Sequence, residues 1–187
     1  MKKITFILFL LIGFTVLGQE TEVEKSIFGV QTGVLGIWAH HEARLADELA
    51  LRSELGFDAG LFGGDFFENS DFVLFPTINV EPRYYYNLKK RADKGKRTSR
   101  NTANFITVRF SYSPDWFSIN SSDADIRQAE NLAIIPKWAI RRSYDSGFTF
   151  ETGIGFGYRY FFLKQYGFQE NEQDPTLDLH IRIGYSF

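Results

Sequence analysis

From residue 27 onward, apolar and polar residues alternate with a period of two in one segment after another. That period sends successive side chains to opposite faces, so each segment reads as a β-strand with one apolar and one polar side. The closing segment is the cleanest. In 177–187, Leu177, Leu179, Ile181, Ile183, Tyr185 and Phe187 share a face, with Asp178, His180, Arg182 and Ser186 opposite. Residues 148–164 repeat the arrangement, with Phe148, Phe150, Ile154, Phe156, Tyr158, Tyr160 and Phe162 against Thr149, Glu151, Gly153, Gly155, Gly157 and Arg159. Residues 49–61 place Arg52, Glu54 and Asp58 behind a leucine-rich face, and 105–112 and 132–142 do the same with Arg109, Lys137 and Arg141. In 72–88 the apolar face is Ile78, Val80, Tyr84, Tyr86 and Leu88, and the polar face carries Glu81 and Arg83. Pro76 and Pro82 interrupt that segment, and each lacks a ladder donor, so they are expected at bulges or strand ends.

The stretch 27–44 shows two phases. Phe28, Val30, Thr32 and Val34 share one face, after which the apolar face jumps to Leu35, Ile37 and Ala39, leaving Trp38, His40, Glu42 and Arg44 opposite. A bulge near 34–36 accounts for the jump. Between strands, 46–48 and 143–147 read as turns, and 63–71, 89–100, 113–130 and 165–176 as loops. The pattern thus resolves seven strands. Single-chain membrane barrels have even strand numbers, so eight are expected. The missing strand lies either around 116–119 or within 27–44 if that stretch is two strands; the first choice moves the basic loop 89–100 to the opposite end of the barrel.

Composition narrows the class. The 187 residues include 17% aromatics, sixteen glycines, five prolines and no cysteine, at a net charge of −2. One domain of this size holds a core or a small barrel. Bulk charge points to no nucleic-acid partner, and the absence of cysteine removes disulfides, thiolate metal sites and a lipoprotein anchor. Lys2 and Lys3, then the apolar run 4–16, then Val16-Leu17-Gly18, form a signal peptide over 1–18. That run is shorter than the roughly 20 residues a spanning helix needs, and no later segment reaches ~18 consecutive apolar residues. Residues 19–26 form a short polar tail, and 27–187 the β domain.

A soluble sandwich also alternates, but three features favour lipid. The apolar faces are bulky and aromatic in every strand. Gly153, Gly155 and Gly157 line a polar face where a soluble strand would carry Thr, Lys or Glu, and small residues suit a narrow barrel's interior. The polar faces carry both signs: Arg52, Arg83, Arg109, Lys137, Arg141, Arg159 and Arg182 with Glu54, Asp58, Glu81, Glu151 and Asp178. The expected fold is all-β, a single antiparallel up-and-down transmembrane β-barrel of about eight strands. A sheet in hydrocarbon must close on itself, because each unpaired backbone group there costs on the order of several kcal/mol. Trp38, Tyr86, Trp138, Tyr158 and Tyr160 are candidates for interfacial girdles.

The segments 42–52, Gly153-Ile154-Gly155-Phe156-Gly157-Tyr158-Arg159-Tyr160 and the terminal Gly184-Tyr185-Ser186-Phe187 resemble those of small Gram-negative outer-membrane proteins of the outer membrane protein β-barrel domain family. The resemblance covers the signal peptide and 27–187. It implies an outer-membrane, porin-like location among envelope lipids, and a terminal strand whose Tyr185 and Phe187 are read by the barrel-assembly machinery.

Candidate chemistry is sparse. His40 and His41 are adjacent on a strand and point to opposite faces, which makes them poor joint metal ligands. His180 lies between Asp178 and Arg182 on the inward face and reads as a hydrogen-bond partner in a lumen charge network. No serine is paired with it by any motif, so no catalytic, metal or cofactor site is expected. Lys89, Lys90, Arg91, Lys94, Lys96, Arg97 and Arg100 make seven positive charges against Asp93 alone. They form either a solvated turn or a dock for anionic headgroups, lipopolysaccharide phosphates or cell-wall polymer. The expected function is a non-enzymatic barrel with a side-chain-filled lumen, structural or binding. The alternatives are a small lipid-modifying enzyme, a narrow pore or a secreted β-sandwich.

Overall fold

The computed structural model describes residues 22–34, 36–62, 71–121 and 126–187. The expected signal peptide 1–18, residue 35, residues 63–70 of the expected loop 63–71 and part of 113–130 lie outside the described residues.

Among the described residues nine strands form, in chain order: β1 Ser26–Gly33, β2 Gly36–Ala46, β3 Leu49–Phe62, β4 Asp71–Tyr84, β5 Asn104–Ser113, β6 Ile119–Asn120, β7 Asn131–Ser143, β8 Phe148–Phe161 and β9 Glu172–Ser186. Eight of them, all but the two-residue β6, pair antiparallel with their neighbours, and β9 returns to β1 to close the barrel. The seam carries five residue pairs, from Gly29↔Ser186 to Gly33↔Arg182. Two further backbone bonds join the chain's last residue to Phe28, Phe28 N–H to Phe187 O at 3.1 Å and Phe187 N–H to Phe28 O at 2.9 Å.

The phase jump at 34–36 is a hairpin rather than a bulge. β1 and β2 pair from Ser26↔Ala43 up to Gly33↔Gly36, and Gly36 takes φ 147° at the turn. A two-residue turn reverses the chain without changing the apolar face, which along the sequence looks like a slip of one residue. This supplies the eighth strand. The alternative site at 116–119 yields only β6, which pairs Val73 and Leu74 beside β4 and is not a barrel stave. The start of the described chain at residue 22, the carboxyl-terminal residue and the turns at 47–48, 85–103 and 144–147 therefore lie at one end, the terminal end. The β1–β2 hairpin and the β3–β4, β5–β7 and β8–β9 connections lie at the other, the loop end.

Strand boundaries shift where local chemistry overrides alternation. β4 stops at Tyr84, and Leu88, expected on its apolar face, opens the short helix α1 Leu88–Ala92 and is buried. β9 begins at Glu172, so the last five residues of the expected loop 165–176 are strand. Pro82 sits in register against Leu51 of β3 while the β4–β5 ladder skips Glu81 and Pro82. The missing donor thus faces the side where pairing lapses.

The closure sets the height of the wall. β1 and β2 have 8 and 11 residues, whereas β3, β4, β8 and β9 have 14 or 15. The wall is consequently low over the β1–β2 hairpin and tall on both sides of it.

Candidate functional site: the lumen

Period-two geometry turns the polar faces inward. Among the described residues, Arg52, Glu81, Arg83, Arg141 and Glu151 are fully buried, and Glu54, Arg109, Lys137, His180 and Arg182 nearly so. An eight-stranded barrel is just wide enough for side chains to fill, so charges from opposite walls meet. Arg83 holds Glu151 through both terminal nitrogens at 3.0 Å and Glu81 at 2.7 Å. Arg182 lies 3.0 Å from Glu54, which Arg52 also reaches through Nε. Lys137 Nζ is 3.1 Å from Glu81 and 3.4 Å from Asp178. Arg109 is 3.2 Å from Asp178 and 3.8 Å from Asp58. His180 sits 3.5 Å from Glu151 and 3.6 Å from Asp178. Every proposed lumen residue faces inward. Arg159 alone of the cations in this set has no hydrogen bond or ion pair among the described residues, and its Nε is buried.

Glu42 is the partner that the charge pattern left out. It is fully buried and accepts from Arg141 Nη1 at 2.9 Å, Tyr85 OH at 2.8 Å and the Asn101 amide, with Arg83 at 3.7 Å and Arg52 at 3.9 Å. Its place beside His40 on the polar face of β2 was the available signal. With Glu42 this set of described residues has seven fixed positive members and six negative ones, close to the balance a buried network requires. Trp38, a girdle candidate, is also a lumen residue. It is 3% exposed, its ring lies 3.9 Å under the Arg182 guanidinium, and its Nε1 donates to Asp58 at 2.8 Å. Tyr86, Trp138, Tyr158 and Tyr160 do face outward.

The terminal end is closed. Val23, Ala50, Tyr85, Leu88, Ala103, Phe105 and Ala139 form an apolar cluster there, and segment 85–103 folds across the opening. The amino-terminal tail straps it down. Glu24 N–H donates to Asn101 Oδ1 at 2.7 Å, the Glu24 carboxylate accepts from Arg100 N–H, and Arg44 pairs with Glu22. The basic loop is thus partly committed to structure. Arg91 donates to the Arg97 carbonyl at 3.0 Å, Arg100 to the Tyr144 carbonyl at 3.1 Å, and Arg97 pairs with Asp145 at 2.5 Å. That hydrogen bond holds the Asp145 carboxyl below the usual carboxylate range and raises Arg97. Lys89, Lys90, Lys94 and Lys96 remain exposed.

Side-chain filling is confined to the terminal half. Towards the loop end lies a cavity of about 810 Å³, bounded by Trp38, Phe75, Ile135 and Phe161 and by Arg109, Arg159 and Asp178. The histidines divide as expected, His40 inward and His41 outward. His41 Nε2 lies 2.9 Å from Ser26 Oγ on the outer face, but among the described residues no carboxylate pairs with His41.

No protein-family model matches the chain, and no curated protein or solved structure matches it.

Proposed function

We propose that the chain is a non-enzymatic integral outer-membrane β-barrel protein, of the outer membrane protein β-barrel domain kind, with a structural or binding role in the envelope. One observation carries the reading: the barrel's polarity is inverted relative to a protein in water. Its interior is built of arginine and glutamate, while Phe28, Ile37, Leu55, Ile106, Ile134, Ile154, Phe156, Leu179 and Ile181 are each 45–60% exposed around the outside. Contiguous apolar surface on that scale marks a contact with something apolar. The dimensions support lipid. From the level of Phe148 and Tyr185 to that of Tyr158 is ten residues along β8. At ~3.3 Å per residue and a ~40° tilt this is about 25 Å, the height of an outer-membrane apolar band. Tyr158 and Tyr160 border it at the loop end, Tyr84, Tyr86 and Tyr185 at the terminal end. In this reading the terminal end with its basic loop faces the periplasm.

The assembly role of Tyr185 and Phe187 belongs to the same proposal, and Phe187 completing the seam with Phe28 supports it. The non-enzymatic reading rests on His180, which is flanked by Glu151 and Asp178 with no serine or threonine hydroxyl bonded to it among the described residues. Among the described residues the Ser26–His41 contact has no orienting acid, and an acyl-transfer site needs nucleophile, base and orienter together. Phospholipid hydrolysis lost on Ser26→Ala or His180→Ala would overturn it.

The test of the main reading is fractionation followed by gel electrophoresis of boiled and unboiled protein. The expected result is an envelope-bound protein whose unboiled form migrates as a compact species. A soluble pool with no heat-dependent shift would favour a secreted β protein.

A further inference from the structure

The uneven wall has a consequence at the loop end. β9 pairs with β1 only from Arg182 to Ser186, yet it continues as strand back to Glu172. Across the hairpin, β2 pairs with β3 only up to Gly36↔Asp58, and β3 continues to Phe62. Above Gly33 and Gly36 the described wall therefore has a notch. It spans the three inter-strand spacings between β9 and β3, about 14 Å at ~4.8 Å each. On the β3 side it rises four residues, about 13 Å.

The loop-end cavity runs out through this notch. Its lining includes inward residues such as Asp58, Arg159 and Asp178, and also outward ones, Ala59, Leu177 and Leu179, one flank from β3 and the other from β9. Leu177 pairs with Phe156, and Leu179 with Ile154, so both lie below the level of Tyr158, within the apolar band. The free edge of β9 there presents backbone polar groups at a depth where unpaired ones cost several kcal/mol. Such irregularity is tolerated where it lines a cavity. The chamber behind the opening has Trp38, Phe75 and Ile135 as apolar walls. At about 810 Å³ it falls within the ~300–1,000 Å³ of small-molecule sites. Of these cavity cations, Arg109 and Arg182 are paired with carboxylates, whereas Arg159 makes no hydrogen bond or ion pair among the described residues and feels Asp58 and Asp178 only at longer range.

Given the membrane reading above, on which this rests, we propose that the cavity binds a single-chain anionic amphiphile that enters sideways from the bilayer. The acyl chain lies through the notch against Leu177, Leu179 and Trp38, and the carboxylate or phosphate head is held by Arg159. A neutral long-chain alcohol of the same length lacks the group that Arg159 selects.

Bromine quenching of tryptophan tests this in dioleoylphosphatidylcholine vesicles. One protein keeps only Trp38 (Trp116→Phe, Trp138→Phe), and a second keeps only the outward Trp138 (Trp38→Phe, Trp116→Phe). Dibromostearic acid and dibromostearyl alcohol are the probes. Trp138 reports insertion and should be quenched by both in proportion to their share of the bilayer. Trp38 should be quenched saturably by the acid and far less by the alcohol. Arg159→Gln should weaken the acid's binding at least about tenfold, as expected for one charge-assisted hydrogen bond, while gel migration shows the variant folded. Oleate and oleoyl lysophosphatidate distinguish the headgroup source: displacement of the acid by either supports the site and names its anion. Unquenched Trp138 would sink the membrane reading. With Trp138 quenched, the cavity proposal fails alone if acid and alcohol quench Trp38 equally, if Arg159→Gln changes nothing, or if neither competitor displaces the acid.

Discussion

Glu42 ties the barrel wall to the segment that closes its terminal end, and its replacement tests the lumen network most directly. Glu42→Gln keeps shape and one acceptor but removes the charge. Arg141 is then left with Ser186 Oγ at 3.2 Å as its remaining hydrogen-bond partner through Nη2, and Arg83 and Arg52 lose a carboxylate within 4 Å. Tyr85 and Asn101 must share what remains of the acceptor. Removing one partner of a buried ion pair typically costs about 3–5 kcal/mol, because the other charge stays buried and uncompensated. The amide still accepts one hydrogen bond, so Glu42→Gln should fall near 3 and Glu42→Leu near 5 kcal/mol. Joining Glu42→Leu to Arg141→Leu removes both charges, and the double variant should be more stable than the sum of the single losses by about 1–3 kcal/mol. The assay is urea unfolding in lipid vesicles followed by tryptophan fluorescence, reading the midpoint shift at unchanged slope. Trypsin cleavage after Lys96 should also speed up, since Asn101 anchors that segment to Glu42. A cost below about 1 kcal/mol for Glu42→Gln, with no coupling to Arg141, would refute the view that this charge is buried and shared.

Three further outcomes follow from the same geometry. Ile154, half exposed in the middle of the apolar band, changed to Arg should lower the stability of vesicle-folded protein by about 2–4 kcal/mol, whereas on a water-facing surface it would change little. Planar bilayers containing the protein should show little or no conductance, because the ion network and segment 85–103 block the terminal half; large stable channels would contradict the closed end. Asp145 should titrate with a midpoint below the ~3.9 of a free aspartate. Its folded value is depressed by Arg97, so its stabilising contribution is present above the unfolded value and is lost as pH falls through the folded one. The pair is solvent-exposed, so high salt should move the NMR midpoint back towards the free value.

Much of this barrel is written in its alternation. The faces of β3, β5, β7, β8 and β9 and the inward direction of all thirteen proposed lumen residues follow from period two, because a strand has only two sides. The same rule placed Glu42 and Trp38 inward, but Glu42 was not among the charges expected to pair across the lumen, and Trp38 reads by type as an interfacial residue. The β1–β2 hairpin was harder. A turn of two residues and a one-residue bulge both flip the apolar phase, and only the pairing of Gly33 with Gly36, and of β1 with β9, separates them.

The sequence by itself determined a chain of alternating strands with charges on one face and aromatics on the other, since that depends only on the geometry of an extended backbone. Which charges meet was decided by closure. Glu42 and Arg141 are 99 residues apart, and Arg182 and Glu54 are 128 apart, and they touch because an eight-stranded barrel brings opposite walls within side-chain reach. Strand lengths likewise hint at an uneven rim. Only the register around the circle places the short β1–β2 hairpin between two tall neighbours and so leaves the described wall low between them.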